Sequence, residues 1–397
     1  MSNVLPLPKP VGPELASDIE KAAAYVASTV TGLRVSEDGL SVSWDTPAGV
    51  DDARSQSVVA RLVKDMVASH RPLPRRVIAE RPPAPGRTLH AGIEAGLRSR
   101  GWVRDMGPGQ VALSGPALAV MHAIDAETAD VAHSMFDAPE ERYPSLISVD
   151  TLARCGYLSN FAHSLNFVTH LAEDYEGIER FRQENLRAER PNVPVCSMVE
   201  PRMCLKPAIC YHCYPALEGQ VIASPGRSLT CVGRVFRYEA GNVTGIERLW
   251  EFGCRDIVWI GTFEWVVEQR RRIVEWTLGM LERWDLDGVI ETANDPFFPT
   301  AHAAKTYWQV LGELKYELRL PLEPGPDGKA RTLAASSFNL HQDFMTTAFN
   351  IRMDDKNLAH TGCVGWGLER WVLAIFTRHG LDIESWPASV RARLGAP

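Results

Sequence analysis

The sequence predicts an α+β protein whose main body is preceded by a small α/β unit, and three observations predict it. "LTCVGRVFRYEA" and "RDIVWIG" are apolar, strand-like runs joined by the polar, glycine-containing "GNVTGIERLWEFGC", the pattern of a strand, a turn and a returning strand. Helical periodicities surround them. "ALAVMHAIDAETADVAHSMF" is amphipathic, and residues 262–284 carry Phe263, Val266, Val267, Val274, Leu278 and Leu281 on or near one face. Ahead of residue 116 the texture differs, with short strand and helix signals in alternation. A chain of 397 residues, 45% hydrophobic and 23% charged, suits one large and one smaller globular domain. Residues 1–115 are expected to form an N-terminal unit of unknown role and 116–397 the main domain.

Four prolines among the first 13 residues (Pro6, Pro8, Pro10, Pro13) predict an irregular arm. A helix is expected near 15–30, then two strands in "LRVSEDGLSVSW" with a turn at Asp38-Gly39, then a helix from Asp51 to His70. "RRVIAE" and "GQVALSG" read as strands around a helix at 89–100. Arginines 71, 75, 76, 81, 87, 98, 100 and 104 face only Glu80 and Glu94 nearby in sequence, so this stretch is either a set of solvated faces or a docking patch for an acidic partner. "SLISVDTLARCGYLSNF" predicts a strand and a capped turn, and a last helix should run from Leu368 to Gly380. No repeat or low-complexity tract is visible.

A net charge of -7 argues against a surface that coats nucleic acid. The N-terminal segment lacks the pattern of a secretory leader, so a cytoplasmic protein is expected. Its eight scattered cysteines are then expected to be reduced, and metal ligation is the natural use for a clustered pair such as that in "ICYHCYP".

Two segments carry candidate chemistry. In "GRVFRYEAGNVTGIERLWEF", a strand bearing Arg237 and Glu239 and a returning strand bearing Arg248 and Phe252 place two guanidiniums and a ring on one surface, which suits a nucleoside triphosphate. In "TGCVGWGLERWVLAIFTRHG", Gly362, Gly365 and Gly367 precede a helix whose first turn holds Arg370, where a helix N-terminus and a cation together favour an anion. Neither a P-loop nor a Rossmann fingerprint is present.

Together, "FRYE", a second arginine eleven residues after the first, and "GWGLER" resemble motifs 2 and 3 of class II aminoacyl-tRNA synthetases. "SSFNLHQDFMTTAFNIR", residues 336–352, resembles the serine-rich strand ahead of motif 3 in seryl-tRNA synthetases. The resemblance covers residues 116 to about 385. Within the superfamily it points to the zinc-dependent, atypical seryl type and its truncated relatives, the amino acid:carrier-protein ligases. It implies an antiparallel sheet of six or seven strands flanked by helices, with pairing of two subunits through the helix in "ALAVMHAIDAETADVAHSM". It further implies Zn2+, ATP and Mg2+. The zinc positions fall on Cys210, Asp256 and Cys363, with Glu251 the alternative acid. A catalytic zinc keeps one place open, here for an amino-acid α-amine. Cys213 and His212 are then neighbours, because on a strand Cys213 faces away from Cys210. Two alternatives remain: a closed structural site from Cys204, Cys210, Cys213 and Cys231 or Cys254, and no metal at all.

The resemblance also implies roles. Arg237 would hold the α-phosphate, Arg248 and Arg370 the β- and γ-phosphates, Glu239 the adenine amino group and Phe252 the adenine ring, with Ser337 in the same nucleotide site. Ala334 stands where synthetases carry a magnesium-holding acid, and Asp343 is the proposed substitute. The implied reaction forms an adenylate of a small amino acid, glycine, alanine or serine-like, and transfers it to the phosphopantetheine thiol of a carrier protein. Transfer to tRNA is the second reading, with tRNA not expected as partner because no tRNA-binding arm is evident. A synthetase fold kept as a binding module is the third.

Overall fold

The structure is a computed structural model and describes residues 2–27, 29–47, 52–69, 75–243, 245–295, 309, 312–325, 328, 330–354 and 356–395. The N-terminal unit is built from β1 (Ser2–Pro6), α1 (Pro13–Ala23), β2 (Thr31–Val35), β3 (Ser41–Asp45) and α2 (Asp52–Ser69). Its three strands run in the order β1-β3-β2, and a separate small core of Leu15, Ile19, Val42, Trp44, Val59 and Val63 lies beneath the helices. The expected arm at residues 1–13 is thus corrected: residues 2–6 pair with β3. A strand ending in Pro6 is tolerated because β1 is an edge, where a missing N–H leaves no ladder bond unmade.

The main body uses β4 (Val77–Arg81), α3 (Ile93–Ser99), α4 (Gly115–Phe136), β5 (Glu140–Glu141), β6 (Gly226–Phe236), β7 (Glu251–Gly261), α5 (Phe263–Arg283), β8 (Gly288–Thr292), β9 (Lys315–Leu322), β10 (Arg331–Gln342), β11 (His360–Gly367) and α6 (Leu368–His379). Among the described residues the main sheet has eight strands, in the order β4-β8-β9-β10-β11-β7-β6-β5, and every pairing but that of β5 with β6 is antiparallel. Six or seven strands were expected; the additions are the short β5 and β4. β4 pairs with β8, and Ile93, Leu97 and Val103 join the large core, so these residues pack with the main body rather than with the small N-terminal core.

Strand alternation sorts the side chains into two layers. Ile257 and Trp259 of β7, Phe338 of β10 and Val364 and Trp366 of β11 pack with α4, α5 and α6. The intervening residues, Val258, Ile260 and Cys363, turn to the opposite face, against Cys210, Cys213, Tyr214 and Phe349. That second face holds the candidate site. α4 begins after Ser114 with Pro116 in its first turn, and its buried Ala117, Val120, Ile124, Thr128 and Val131 follow helical spacing. Arg255, on the helix side of β7, is bound by Asp125 of α4 at 2.6 Å and Glu140 at 3.0 Å.

Several arginines of the cluster are engaged in ion pairs within the chain, while Arg75, Arg76, Arg100 and Arg104 remain exposed. Arg75 pairs with Glu14 and Glu291, Arg76 with Glu313, Arg87 with Asp285 and Asp287, and Arg98 with Glu94 and Asp105. Arg81 donates to the carbonyl of Leu286 at 2.5 Å, and Arg71 lies outside the described residues. All eight cysteines are free, and no described helix is long and apolar enough to cross a membrane.

Candidate active site

The neck of the β6–β7 connection is closed by the Arg237 N–H donating to the carbonyl of Trp250 at 2.8 Å. This bond sets Arg237 beside Phe252, its guanidinium carbon 5.5 Å from the ring centroid, while its Nε donates to the carbonyl of Pro207 at 2.9 Å. Further out, Arg248 lies 3.5 Å from Glu239. Arg370 reaches in from the first turn of α6, donating from Nε to the carbonyl of Glu247 at 2.9 Å and from Nη1 to that of Ala334 at 2.7 Å. Phe252, Gly367, Arg370 and Glu247 line one depression. Burial, then the nearby Arg248 and Arg237, pull Arg370 below the usual guanidinium range. Arg370 with Arg237 and Arg248 close by forms a positive field suited to a polyphosphate. The neighbouring Glu369 plays another part. It is 2% exposed, accepts from the Gly253 N–H at 2.8 Å and from Arg234 at 2.7 Å, and so ties α6 to β7.

The cysteine end lies on the same face. Cys210 and Cys363 hydrogen-bond to each other; that contact, with His341 and Asn339, pulls the Cys363 thiol well down, while it and burial push Cys210 well up. Asp256 is pushed up to about 7, by burial first and by Cys363 next, while its carboxylate accepts from the Cys254 thiol at 3.1 Å and from the Cys210 backbone N–H. A Cβ at Gly365 would stand 2.8 Å from the Asp256 Oδ1, so the glycine opposite makes room for the carboxylate. His341 completes the cluster, with Nε2 3.6 Å from the Cys363 sulfur and Nδ1 3.2 Å from the hydroxyls of Tyr214 and Thr361.

Among the described residues no three His, Cys, Asp or Glu side chains converge as they stand in an arrangement that could hold a metal ion. The donor chemistry itself fits zinc: two thiols in contact, a carboxylate beside them and an imidazole.

The sequence-derived candidates are thus brought onto one face, with four corrections. Glu251 is turned to Arg234 at 3.0 Å, leaving Asp256 as the acid beside the cysteines. Residues 210–216 are two short helical turns rather than a strand, so strand alternation is not what separates Cys213 from Cys210; the Cys213 thiol is instead bonded to Cys231. Cys204 packs with Ile147 and Leu152 in a different cluster, so the four-cysteine alternative is not assembled. Asp343 is six residues beyond Ser337, about 20 Å along an extended chain. It is too far to replace the acid missing at Ala334, whose contribution is its carbonyl.

No protein-family model matches the chain. It is 33% identical to amino acid–acyl-carrier-protein ligase 2 of Bradyrhizobium diazoefficiens over 260 residues, 64% of this chain and 74% of that one. The chain belongs to this ligase family. A type-2 serine–tRNA ligase of Methanopyrus kandleri is 26% identical over 309 residues, 75% of this chain and 59% of the relative, so the chain spans less than two thirds of that enzyme's length. A crystal structure of M. kandleri seryl-tRNA synthetase, bound to Aquifex aeolicus tRNASec, shares the fold at a TM-score of 0.71 and 22% identity, covering 99% of this chain and 77% of its own. The class II synthetase fold expected from the motifs is therefore present. The exclusion of tRNA does not stand, since the tRNA ligase matches a larger share of this chain than the carrier-protein ligase does.

Besides His341, four polar residues that the sequence did not single out adjoin the candidate site. Asn339 donates to the Ser337 hydroxyl and to the Cys363 sulfur, each at 3.3 Å, linking the nucleotide end to the cysteine end. Glu317 stands opposite Ser337 in the β9–β10 register, and Lys315 bridges it at 3.0 Å to Asp295 at 2.6 Å. Burial pulls Lys315 down, yet Asp295 and Glu317 hold it above the usual ammonium range. The signal that could have found Glu317 is the strand "KYELRLPL", whose alternation puts Lys315, Glu317 and Arg319 on one side.

Proposed function

We propose that this chain activates a small amino acid with ATP and passes it to the phosphopantetheine thiol of a carrier protein. The observation that carries the reading is the meeting of Arg237, Arg248 and Arg370 with Cys210, Asp256 and Cys363 on one face of one sheet. In the first step an amino-acid carboxylate oxygen bonds to the α-phosphorus, and the bond to the β-phosphate oxygen breaks to release pyrophosphate. No side-chain nucleophile is required; the chain supplies position and positive charge. Arg237 faces the α-phosphate, Arg248 and Arg370 the outer phosphates, Glu239 the adenine amino group and Phe252 the ring. Cys210, Asp256 and Cys363 would hold a zinc ion, which supplies a ligand place for the α-amine. Glu317 and Ser337, opposite one another, would hold magnesium against the phosphates. In the second step the thiol sulfur attacks the carbonyl carbon and AMP leaves. α4 would pair two subunits as a homodimer.

Transfer to tRNA is the second reading, favoured by the 99% coverage of this chain, N-terminal unit included, in the match to the M. kandleri enzyme. Intact-mass measurement of a phosphopantetheinylated carrier protein, incubated with the enzyme, ATP, magnesium and pooled glycine, alanine and serine, tests both when tRNA charging is assayed alongside. An aminoacyl shift on the carrier with uncharged tRNA supports the ligase; charged tRNA and an unshifted carrier overturn it in favour of the second reading.

A further inference from the structure

We propose that the N-terminal unit is a working part of the nucleotide site: α1 positions the loop that presents Glu239 to adenine. This deepens the function above and rests on its assignment of Glu239. Just after α1, the Tyr25 hydroxyl donates to the carbonyl of Tyr238, the residue before Glu239, at 3.0 Å. Three residues beyond Glu239, the Asn242 side chain donates to the carbonyl of Lys21 in the last turn of α1 at 2.9 Å. That carbonyl belongs to the helix end that lacks internal partners, so Asn242 serves as its cap. Glu239 is therefore bracketed by two bonds to one helix.

Between the brackets lies a strained residue. Ala240 has φ of 47°, in the left-handed region, which costs a residue with a Cβ about 1–2 kcal/mol. Such a conformation persists where surrounding contacts hold it. Here those contacts are Tyr25, Asn242 and the Tyr238 N–H, which donates to the carbonyl of Ser164 at 3.0 Å. The Tyr25 ring also stands edge-on to His163 at 4.6 Å, and its hydroxyl is pushed up by burial first and by the adjacent Glu239 next. α1 is anchored at its other end through Glu14, 3.1 Å from Arg75, which in turn holds Glu291 of β8 at 2.7 Å. Tyr25 and Asn242 are positioning residues, acting through Glu239.

The test uses the full-length enzyme in amino-acid-dependent pyrophosphate exchange, with Tyr25→Phe, Asn242→Ala and Glu239→Gln. Tyr25→Phe keeps the ring packing and removes one hydrogen bond, so the KM for ATP should rise about fivefold while kcat and the amino-acid KM stay within about twofold. Preference for ATP over GTP should fall as well, and Tyr25→Phe added to Glu239→Gln should do no further harm. Asn242→Ala should give the same split and carries the test if Tyr25→Phe does not fold. A raised ATP KM in Glu239→Gln with no change in either positioning variant overturns the inference alone. An unchanged Glu239→Gln overturns the assignment of Glu239 and the inference with it.

Discussion

Arg248 lies 3.5 Å from Glu239, so the two residues assigned to opposite ends of ATP are paired with each other across the β6–β7 loop. On the proposed assignment, nucleotide binding would separate them, each exchanging its partner for a part of the substrate. Arg248→Ala should lower kcat for adenylate formation about 100-fold, the scale of losing one preorganised charge-stabilising donor. Single-turnover measurement of adenylate formation at saturating ATP checks it. A rate within threefold of the parent would remove Arg248 from the phosphate site.

The contact between Cys210 and Cys363 leads to a different expectation. Two thiols in contact with an imidazole alongside are soft donors, and a thiophilic cation that bound them would displace their protons to solvent. Cys210→Ser and Cys363→Ser should each purify without zinc and fail to activate the amino acid. Cys213→Ser, whose thiol is spent on Cys231, should retain both. His341→Gln should weaken zinc binding about 10- to 100-fold, the usual cost of losing an orienting partner. Metal content by elemental analysis decides these cases, and equal loss of zinc from Cys213→Ser would misplace the site.

The first prediction rests on a residue that spacing singled out, and the reason is local: Arg237, Glu239, Arg248 and Phe252 sit on one hairpin. Arg370, and the set of Cys210, Asp256 and Cys363, are spread over separate segments, and only the resemblance to the synthetase motifs joined them. His341, Asn339 and Glu317 were not legible as site residues. Their positions depend on register, Asn339 opposite Cys363 and Glu317 opposite Ser337, and a single-residue slip would turn each to the helix layer. The ion-pair partners of the arginines of residues 75–98 were not legible for a related reason: several of them arrive some 200 residues later, on the segments around Asp285, Asp287 and Glu291. The edge strand β4, likewise, meets β8 from more than 200 residues away in sequence.

Glu369 tests the tie between α6 and β7. Its carboxylate takes the Gly253 N–H and the Arg234 guanidinium, and Arg234, 37% exposed, can return to water when that partner is lost. The buried N–H cannot. Glu369→Ala should therefore cost about 2 kcal/mol, the desolvation penalty of an orphaned donor, and Glu369→Gln, which keeps an acceptor oxygen, much less. Urea unfolding monitored by tryptophan fluorescence distinguishes them. Equal stabilities for the two variants would mean that the Gly253 bond is not what matters.

His379 sets a pH dependence that can be read independently of catalysis. At the end of α6 it is buried, with Nε2 2.8 Å from the carbonyl of Trp284 and its ring 5.2 Å from that of Trp386. Burial is the main influence that lowers its pKa; the bond to Trp284 opposes the shift, Arg378 adds to it, Asp285 opposes it and Arg87 adds to it. The folded protein then holds a neutral ring that the unfolded chain protonates near pH 6.5. Between those two points the unfolded state binds more protons, so stability rises with pH. The contribution is present above about pH 6.5 and is lost as pH falls through the folded value. Comparing urea midpoints of the parent and His379→Gln from pH 5 to pH 8 should show the parent losing more stability than the variant on acidification. Parallel profiles would mean that folding leaves the pKa of the ring unchanged.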